Sequence, residues 1–310
     1  MISYLLRRLL YGILVLWVLL STLFFILRFL PGGPFDTDKK LPPEVLQNLR
    51  VKYHLNLPLW QQYTIYLKNV ALHLDLGPSL KNPDRSVNEM LMSSFPISFQ
   101  LGVLAFIISY LIGIPFGLLA AYRHNTSVDR FLMISAISGV SLPSFLTGSL
   151  LILLFSKILS LLPAARWDGW QHMILPAITL GLRPAAILAR LMRGSALEIL
   201  KADYIRTARA KGLSEVDILF KHVLKNAFLP ILTLSGPLLA SIITGSFIVE
   251  FIFAIPGMAD YFVDAVFNRD YTLIIGATLL YAVLLVLANI LVDVLYTVLD
   301  SRIVLVRGEK

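Results

Sequence analysis

The chain has 310 residues, 57% hydrophobic and 15% charged, with five histidines, no cysteine and a formal net charge of +8. Globular domains carry about one quarter charged residues, so this deficit, with uncharged apolar runs near the length of a bilayer helix, places the chain in the membrane class. The lack of cysteine excludes disulfides, thiolate metal sites and a cysteine nucleophile. The scattered histidines show no ligand spacing, so no metal site is expected.

Nineteen uncharged residues between Arg8 and Arg28 form the first predicted span. The run is too long for a signal-peptide core, and no small-x-small cleavage site follows it. An external segment, 31–95, comes next. It opens with PGGP and contains PPEVLQNLRVKYHL and PLWQQYTIYLKNVALHLDLG. In the latter, Leu59, Tyr63, Tyr66, Val70 and Leu74 recur at helical spacing, and Pro42, Pro43 and Pro58 suit first-turn positions. This reads as a helical cap lying on the membrane surface, not as a catalytic domain. Further spans follow between Glu89 and Arg123 and at 131–156, 226–249 and 271–292, each able to cross about 30 Å of hydrocarbon at about 1.5 Å per residue. A sixth, 173–192, is interrupted by Arg183 and Arg190. Pro115, Pro143, Pro176 and Pro184 are expected to break helices in spans two to four.

Loop charge decides whether 173–192 counts. With it included, segments 1–8, 123–130, 193–225 and 301–310 share one side and hold fourteen Lys/Arg, against three in 157–168 and 250–270. The positive-inside rule then favours six spans with both termini cytoplasmic. The same rule explains the net charge without nucleic acid as a partner.

The fourth and fifth spans are joined by DYIRTARAKGLSEVDILFKHVLKNAFLP, 203–230, with five Lys/Arg and three Asp/Glu. A helix over about 195–211 is predicted to end at Gly212, a left-handed cap. Leu213 follows, and Ser214 caps a second helix with Asp217 three residues on. In that helix Val216, Phe220, Val223 and Ala227 are predicted to line one face, and Asp217, Lys221 and Lys225 another. Such an amphipathic hairpin can lie in the lipid interface, stand solvated without a partner, or dock into a protein groove. The A-K-G-L-S turn also invites a helix-turn-helix DNA reader, but tethering to two spans gives duplex poor access.

YIRTARAKGLS followed by H-x-L-K-N-A-x-L-P resembles the cytoplasmic loop of peptide-type ABC importer permeases, the dipeptide/oligopeptide/nickel group. LRRLLYGILVLWVLL, PGGP, HMILPAITLG, IPGM at 255–258, NRDYTLI at 268–274 and LVDVLYTVLDSRI extend the likeness along nearly the whole chain. LPPEVLQNLRVKYHLN, YLK and DLGPSLK most resemble the oligopeptide permease B subunits of that group. The chain departs from the group's PGDP or PGSP by carrying Gly33, so that position receives no role. From the general importer signature E-A-A-x3-G it keeps Ala208 and Gly212, with Arg206 and Thr207 at the first two places, and Gly212 to Pro230 is longer than in sugar importers.

The resemblance implies an all-α membrane protein of six transmembrane helices, with the type I ABC importer permease fold and an external helical cap after the first helix. Residues 1–310 form one permease domain, with a cytoplasmic coupling loop at 193–226 that seats on a separate ATPase. Its coupling residues are Tyr204, Arg206, Thr207, Ala208, Arg209, Lys211, Gly212, Leu213, Ser214, Glu215, Asp217 and Phe220. The implied partners are a homologous second permease subunit, two cytoplasmic ATPases, an external substrate-binding protein and the bilayer of a bacterial plasma membrane. The implied cargo is oligopeptides, with dipeptides, glutathione or nickel chelates as the alternative.

No G-x-x-x-x-G-K-[ST], G-x-S-x-G or H-E-x-x-H occurs, so no catalytic role and no bound cofactor are expected; the resemblance puts ATP and Mg²⁺ in the partners. Intramembrane ionisable residues point to function by default. Arg183, Asn289 and Asp293 are therefore candidate translocation-path residues. For Arg183, pairing with a partner or reaching polar groups through a helix break at Pro184 stays open. For Asn289 and Asp293, one turn apart at the inner end of span six, structural hydrogen bonding stays open. Arg190 and Arg193 read as interfacial, and Glu250 as interfacial or touching the cap. From other classes, an ion-coupled secondary transporter needs intramembrane acids and often inverted repeats, which the spans lack apart from Asp293. A receptor or scaffold subunit without transport is the third reading.

Overall fold

The computed structural model describes residues 2–35, 42–82, 84–244 and 247–299. Among them the regular structure is helical, apart from one isolated antiparallel bridge between Pro78 and Ser86. The helices are α1 (Ile2–Phe29), α2 (Pro43–Lys52), α3 (Leu59–His73), α4 (Val87–Tyr122), α5 (Ser127–Ser141), α6 (Ser144–Ile158), α7 (Trp170–Leu200), α8 (Asp203–Ala210), α9 (Glu215–Ala227), α10 (Leu229–Thr244), α11 (Phe247–Ile252), α12 (Met258–Asn268) and α13 (Tyr271–Leu299). Ile152–Ile158 at the end of α6 and Ile218–Val223 within α9 are wound as π-helix. The predicted tail 301–310 lies outside the described residues.

Helices α1, α4, α7 and α13 are long and apolar enough to cross a membrane alone, whereas α5 with α6 and α9 with α10 qualify as pairs bent by 110° and 53°. The predicted span 131–156 is thus broken at Pro143 as expected, and 226–249 starts within a helix pair bent at Phe228. At the first bend the cause is local. The Pro143 ring disfavours the α conformation of its predecessor, and Leu142 (φ −77°, ψ 128°) and Pro143 (φ −61°, ψ 144°) are both extended. Pro115, Pro176 and Pro184 do not break their helices; α4 and α7 run through them. Neighbouring residues Leu175, Ala177, Ala185 and Ala186 are buried, and packing on both sides holds a helix that has lost one backbone bond.

The chain divides into two compact units. The first comprises Met1–Ile97 and Gly257–Val286. Here α3 docks on α1. Phe24 is fully buried and meets Tyr63 edge-on at 5.4 Å; Ser21 Oγ and Tyr63 OH share a hydrogen bond of 2.7 Å. Arg28 lies with its guanidinium carbon 3.4 Å from the Phe24 ring centroid and donates to Gln62 Oε1 at 3.1 Å. Gln62 in turn donates to the Leu57 carbonyl at 2.8 Å. The predicted apolar stripe of α3 holds in its middle, at Tyr63, Tyr66 and Val70, and is exposed at its ends, Leu59 and Leu74. α4 begins at Val87, inside the segment assigned to the cap, and its 36 residues, about 54 Å, exceed the hydrocarbon core.

The second unit comprises Ser98–Pro256 and Leu287–Lys310. Its spine is α4 against α7, packed through small residues. A Cβ on Gly113 would lie 2.6 Å from the Ala185 carbonyl oxygen, one on Gly117 2.4 Å from that of Ala189, and one on Gly181 2.7 Å from that of Ala105. In lipid, where apolar side chains gain nothing by leaving one another for hydrocarbon, close backbone approach supplies the packing energy. G-I-P-F-G at 113–117 is the sequence trace of this seam. Tyr110 on α4 and Ser235 on α10 share a side-chain hydrogen bond. Glu250 is buried and accepts from Ser98 Oγ at 2.9 Å, as a buried carboxylate must find a donor.

Candidate functional site: the 193–226 hairpin

The predicted helix over 195–211 is two helices. α7 ends at Leu200, Ala202 is extended (φ −68°, ψ 147°), and α8 starts at Asp203. The break turns the chain back so that Ile205 and Ala208 bury against Ala196, Ile218, Val223 and Ala227. A straight continuation of α7 would leave both in solvent. The acidic Asp203 in the first turn suits the positive helix end.

Gly212 adopts φ +77°, and nothing lies within 4 Å of where its Cβ would be. The turn therefore needs glycine for its backbone conformation, not for space. Ser214 caps α9 as expected: its Oγ accepts from the Asp217 N–H at 3.1 Å and donates to Asp217 Oδ2 at 2.6 Å. Asp217 pairs with Lys221 at 2.5 Å. Across the turn, Arg209 donates to both carboxylate oxygens of Glu215, at 2.9 and 3.3 Å. These bonds raise the Arg209 pKa above its ordinary value. Tyr204 OH accepts from Asn226 Nδ2 at 3.3 Å. Thr207 Oγ1 donates to the Asp203 carbonyl at 3.1 Å, and Arg206 pairs loosely with Asp203 at 3.6 Å. Lys211 is exposed and Leu213 half-buried.

One expectation fails here. Val216, Phe220, Val223 and Ala227 do not share a face. Val223 and Ala227 are buried with Ile218 and Leu219, while Val216 and Phe220 are 64% and 60% exposed. The π-helical turn at Ile218–Val223 is the reason. Its i→i+5 bonding inserts a residue into the helical register, so the inward stripe runs 218, 219, 223, 227. The outcome is a knuckle fixed to its own unit by one face, presenting Val216, Phe220 and Tyr204 outward among Arg206, Lys211 and Lys221.

The path candidates separate. Arg183 lines a cavity of about 360 Å³ with Ser144, Thr147, Thr179 and Ser241 among its walls; Asn289 and Asp293 are not among its lining residues. Those two are half-buried on α13, where α10 approaches so closely that a Cβ on Gly236 would lie 3.0 Å from the Ala288 carbonyl oxygen. Arg193 is not simply interfacial. It clamps Asp129 from both nitrogens, Nε to Oδ1 at 2.7 Å and Nη2 to Oδ2 at 2.8 Å, with His124 Nδ1 3.3 Å from Nη2.

Two clusters escaped the sequence reading. Asp270, 1% exposed, accepts from Ser79 Oγ (2.5 Å), the N–H groups of Leu80 (3.2 Å), Lys81 (3.4 Å) and Leu273 (3.2 Å), and Thr272 Oγ1 (2.9 Å). Beside it, Arg269 Nη1 donates to the Pro31 carbonyl and Tyr271 OH to that of Gly32, both at 3.0 Å. PGGP and NRDY are thus one latch, two stretches singled out separately by resemblance. Nothing local in either signals the other.

Comparison with known proteins bears directly on this geometry. A model of binding-protein-dependent transport system inner membrane components matches residues 113–305, and a model of their N-terminal part matches 1–102. The chain is 43% identical over 305 residues to the oligopeptide transport system permease protein OppB of Haemophilus influenzae, covering 98% of this chain and 99% of that one. It is 45% identical over 303 residues to the dipeptide transport system permease protein DppB of Bacillus subtilis, covering 98% of each. Among solved structures, the inward-facing MetNI methionine ABC transporter aligns with a TM-score of 0.59 at 16% identity, over 69% of this chain and 97% of that chain. At that identity the likeness concerns the fold.

Proposed function

This chain belongs to the binding-protein-dependent transport system inner membrane components, as a multi-pass permease subunit of the type I ABC importer class, and we propose that its cargo is short peptides. The observation that carries the cargo is near-complete coverage, at 43% and 45% identity, of two permeases named for oligopeptide and dipeptide transport. The mechanism is alternating access: a substrate-binding protein delivers the peptide outside, and two cytoplasmic ATPases close on ATP. This chain and a homologous second permease reorient with them, each state being favoured by its own set of contacts. Both termini and the 193–226 hairpin face the cytoplasm of a bacterial cell.

The hairpin is the ATPase-coupling loop. Two features support this reading over the lipid-interface one. The apolar face of α9 is spent on its own chain at Ile218, Leu219, Val223 and Ala227. What remains exposed is a small apolar knob in a charged ring, suited to a protein groove, with the charges serving encounter and register more than tightness. The Arg209–Glu215 pair and the Ser214 cap keep the knob rigid, so little conformational entropy is lost on docking.

Co-purification of the ATPases with the permease tests the coupling role. Phe220→Ser and Val216→Ser are expected to leave permease stability within about 0.5 kcal/mol, since both are surface changes. Together they should weaken ATPase association at least roughly tenfold, as interface anchors do. Wild-type association and uptake in the double variant would remove the hairpin from the coupling role. Uptake of a peptide panel of graded length into reconstituted vesicles tests the cargo and separates dipeptide from oligopeptide preference.

A further inference from the structure

We propose that the Arg183 cavity is a water-filled waypoint for the anionic end of the cargo, which on the peptide reading above is the terminal carboxylate. Arg183 sits about 20 Å along α7 from Trp170 and about 25 Å from Leu200, hence deep within a bilayer about 30 Å thick. It is exposed on the surface of its unit, and among the described residues it has no hydrogen-bond or ion-pair partner. A cation at that depth facing hydrocarbon is costly, so it faces water, a solute or another chain. The walls argue for the first two. Hydroxyl-bearing Ser144, Thr147, Thr179 and Ser241 share the walls of its cavity, about 360 Å³ in all, with Leu and Ile side chains.

The break between α5 and α6 lies in the same wall. Leu142 and Ser144, on either side of Pro143, both line the cavity. Non-helical backbone at membrane depth persists where it lines protein or water, not lipid, and interrupted helices mark binding sites in carriers. The 110° bend and the lone guanidinium are thus two parts of one recess, apolar over much of its wall and marked by four hydroxyls. Its single charge is positive, so it favours anions over cations and gives a peptide carboxylate a place to rest inside the membrane without holding its side chains.

The test uses the assembled transporter with its ATPases, second permease and binding protein, in vesicles, the partners' reactive thiols having been removed. This chain contains no cysteine, so Ser144→Cys supplies one thiol in the cavity wall. An anionic thiosulfonate reagent is expected to react roughly tenfold faster than a cationic one, as a low-dielectric recess of one charge sign concentrates counter-ions. The preference should vanish in Ser144→Cys/Arg183→Gln and persist in Ser144→Cys/Arg183→Lys. Peptide delivered by the binding protein should slow the labelling. In the cysteine-free background, Arg183→Gln should lower peptide uptake roughly tenfold, while Arg183→Lys keeps most of it. Equal rates for the two reagents, or no labelling, overturn the proposal and point to a carboxylate of the adjoining subunit closing the cavity. Charge preference without protection by peptide overturns its use by cargo. A wild-type complex that moves no peptide yet retains the charge preference defeats the peptide reading alone and leaves the anion-selective recess standing.

Discussion

Asp270 illustrates how one side chain can order a region that its own neighbourhood in sequence does not describe. Its carboxylate gathers donors from residues 79–81 and from the start of α13. Removing it strands buried N–H groups as well as a helix cap. Asp270→Ala is therefore expected to destabilise the protein by about 2–4 kcal/mol, with Asp270→Asn intermediate, measured by thermal unfolding in detergent. Two glycines give a sharper contrast. Gly32 (φ +91°) and Gly212 (φ +77°) both need the left-handed region, but a Cβ on Gly32 would lie 1.8 Å from Arg269 Nη1 whereas none obstructs Gly212. Gly212→Ala should cost only the backbone preference, about 1 kcal/mol, and Gly212→Leu the same. Gly32→Ala should add the loss of the Arg269 bond to Pro31. If the open space at Gly212 is where an ATPase seats, leucine there blocks uptake while alanine spares it.

At the scale of elements, what the sequence disclosed was set by range. The Ser214–Asp217 cap spans three residues and was legible; so was the left-handed turn at Gly212, and Pro143 as a breaker. The long helices α1, α4 and α13 were legible from their apolar runs, and α7, interrupted by Arg183 and Arg190, only through loop charge. The facing of α9 was not, because the π-turn at Ile218–Val223 depends on burying Ile218 and Leu219 against distant residues, and the 3.6-residue period misassigned Val223 and Ala227. Pro176 and Pro184 carried the breaker signal without breaking α7, since packing overrode it. The α4–α7 seam had a trace in G-I-P-F-G, though a GxxxG stretch alone does not name its partner. Its expected consequence is steep: Gly117→Ala puts a carbon 2.4 Å from a backbone carbonyl oxygen, which forces the helices apart. A loss of about 1–3 kcal/mol follows from such overpacking. Gly194→Ala on α7, where nothing lies within 4 Å, should be neutral or slightly stabilising in the same unfolding measurement.

At the scale of the whole molecule the open question is whether α5 and α6, bent by 110°, cross the bilayer or dip in and return. Contacts with α7 argue for crossing. Asp129 near the start of α5 clamps Arg193 near the end of α7. Further on, Gly139 lies against Ala186 and Leu182, and Gly148 of α6 against Thr179. The partners descend steadily along one unbroken helix, from 193 to 179, so the bent pair runs antiparallel to α7 over much of its length. The loop after α6 then reaches the Trp170 end, where the Arg166 N–H donates to the Phe253 carbonyl at 2.8 Å. Segments of like predicted sidedness are thereby joined, 123–130 with 193–225 and 157–168 with 250–270. Together with loop charge this favours six crossings. Single cysteines report it cleanly in a chain that has none of its own. Ser127→Cys and Lys211→Cys should react with a membrane-impermeant maleimide only in inverted vesicles, Asp168→Cys and Asn268→Cys only in intact cells. Labelling of 127 and 168 from one side would make α5–α6 re-entrant, reverse the hairpin to the exterior, and deny the ATPases the knuckle formed by Val216 and Phe220.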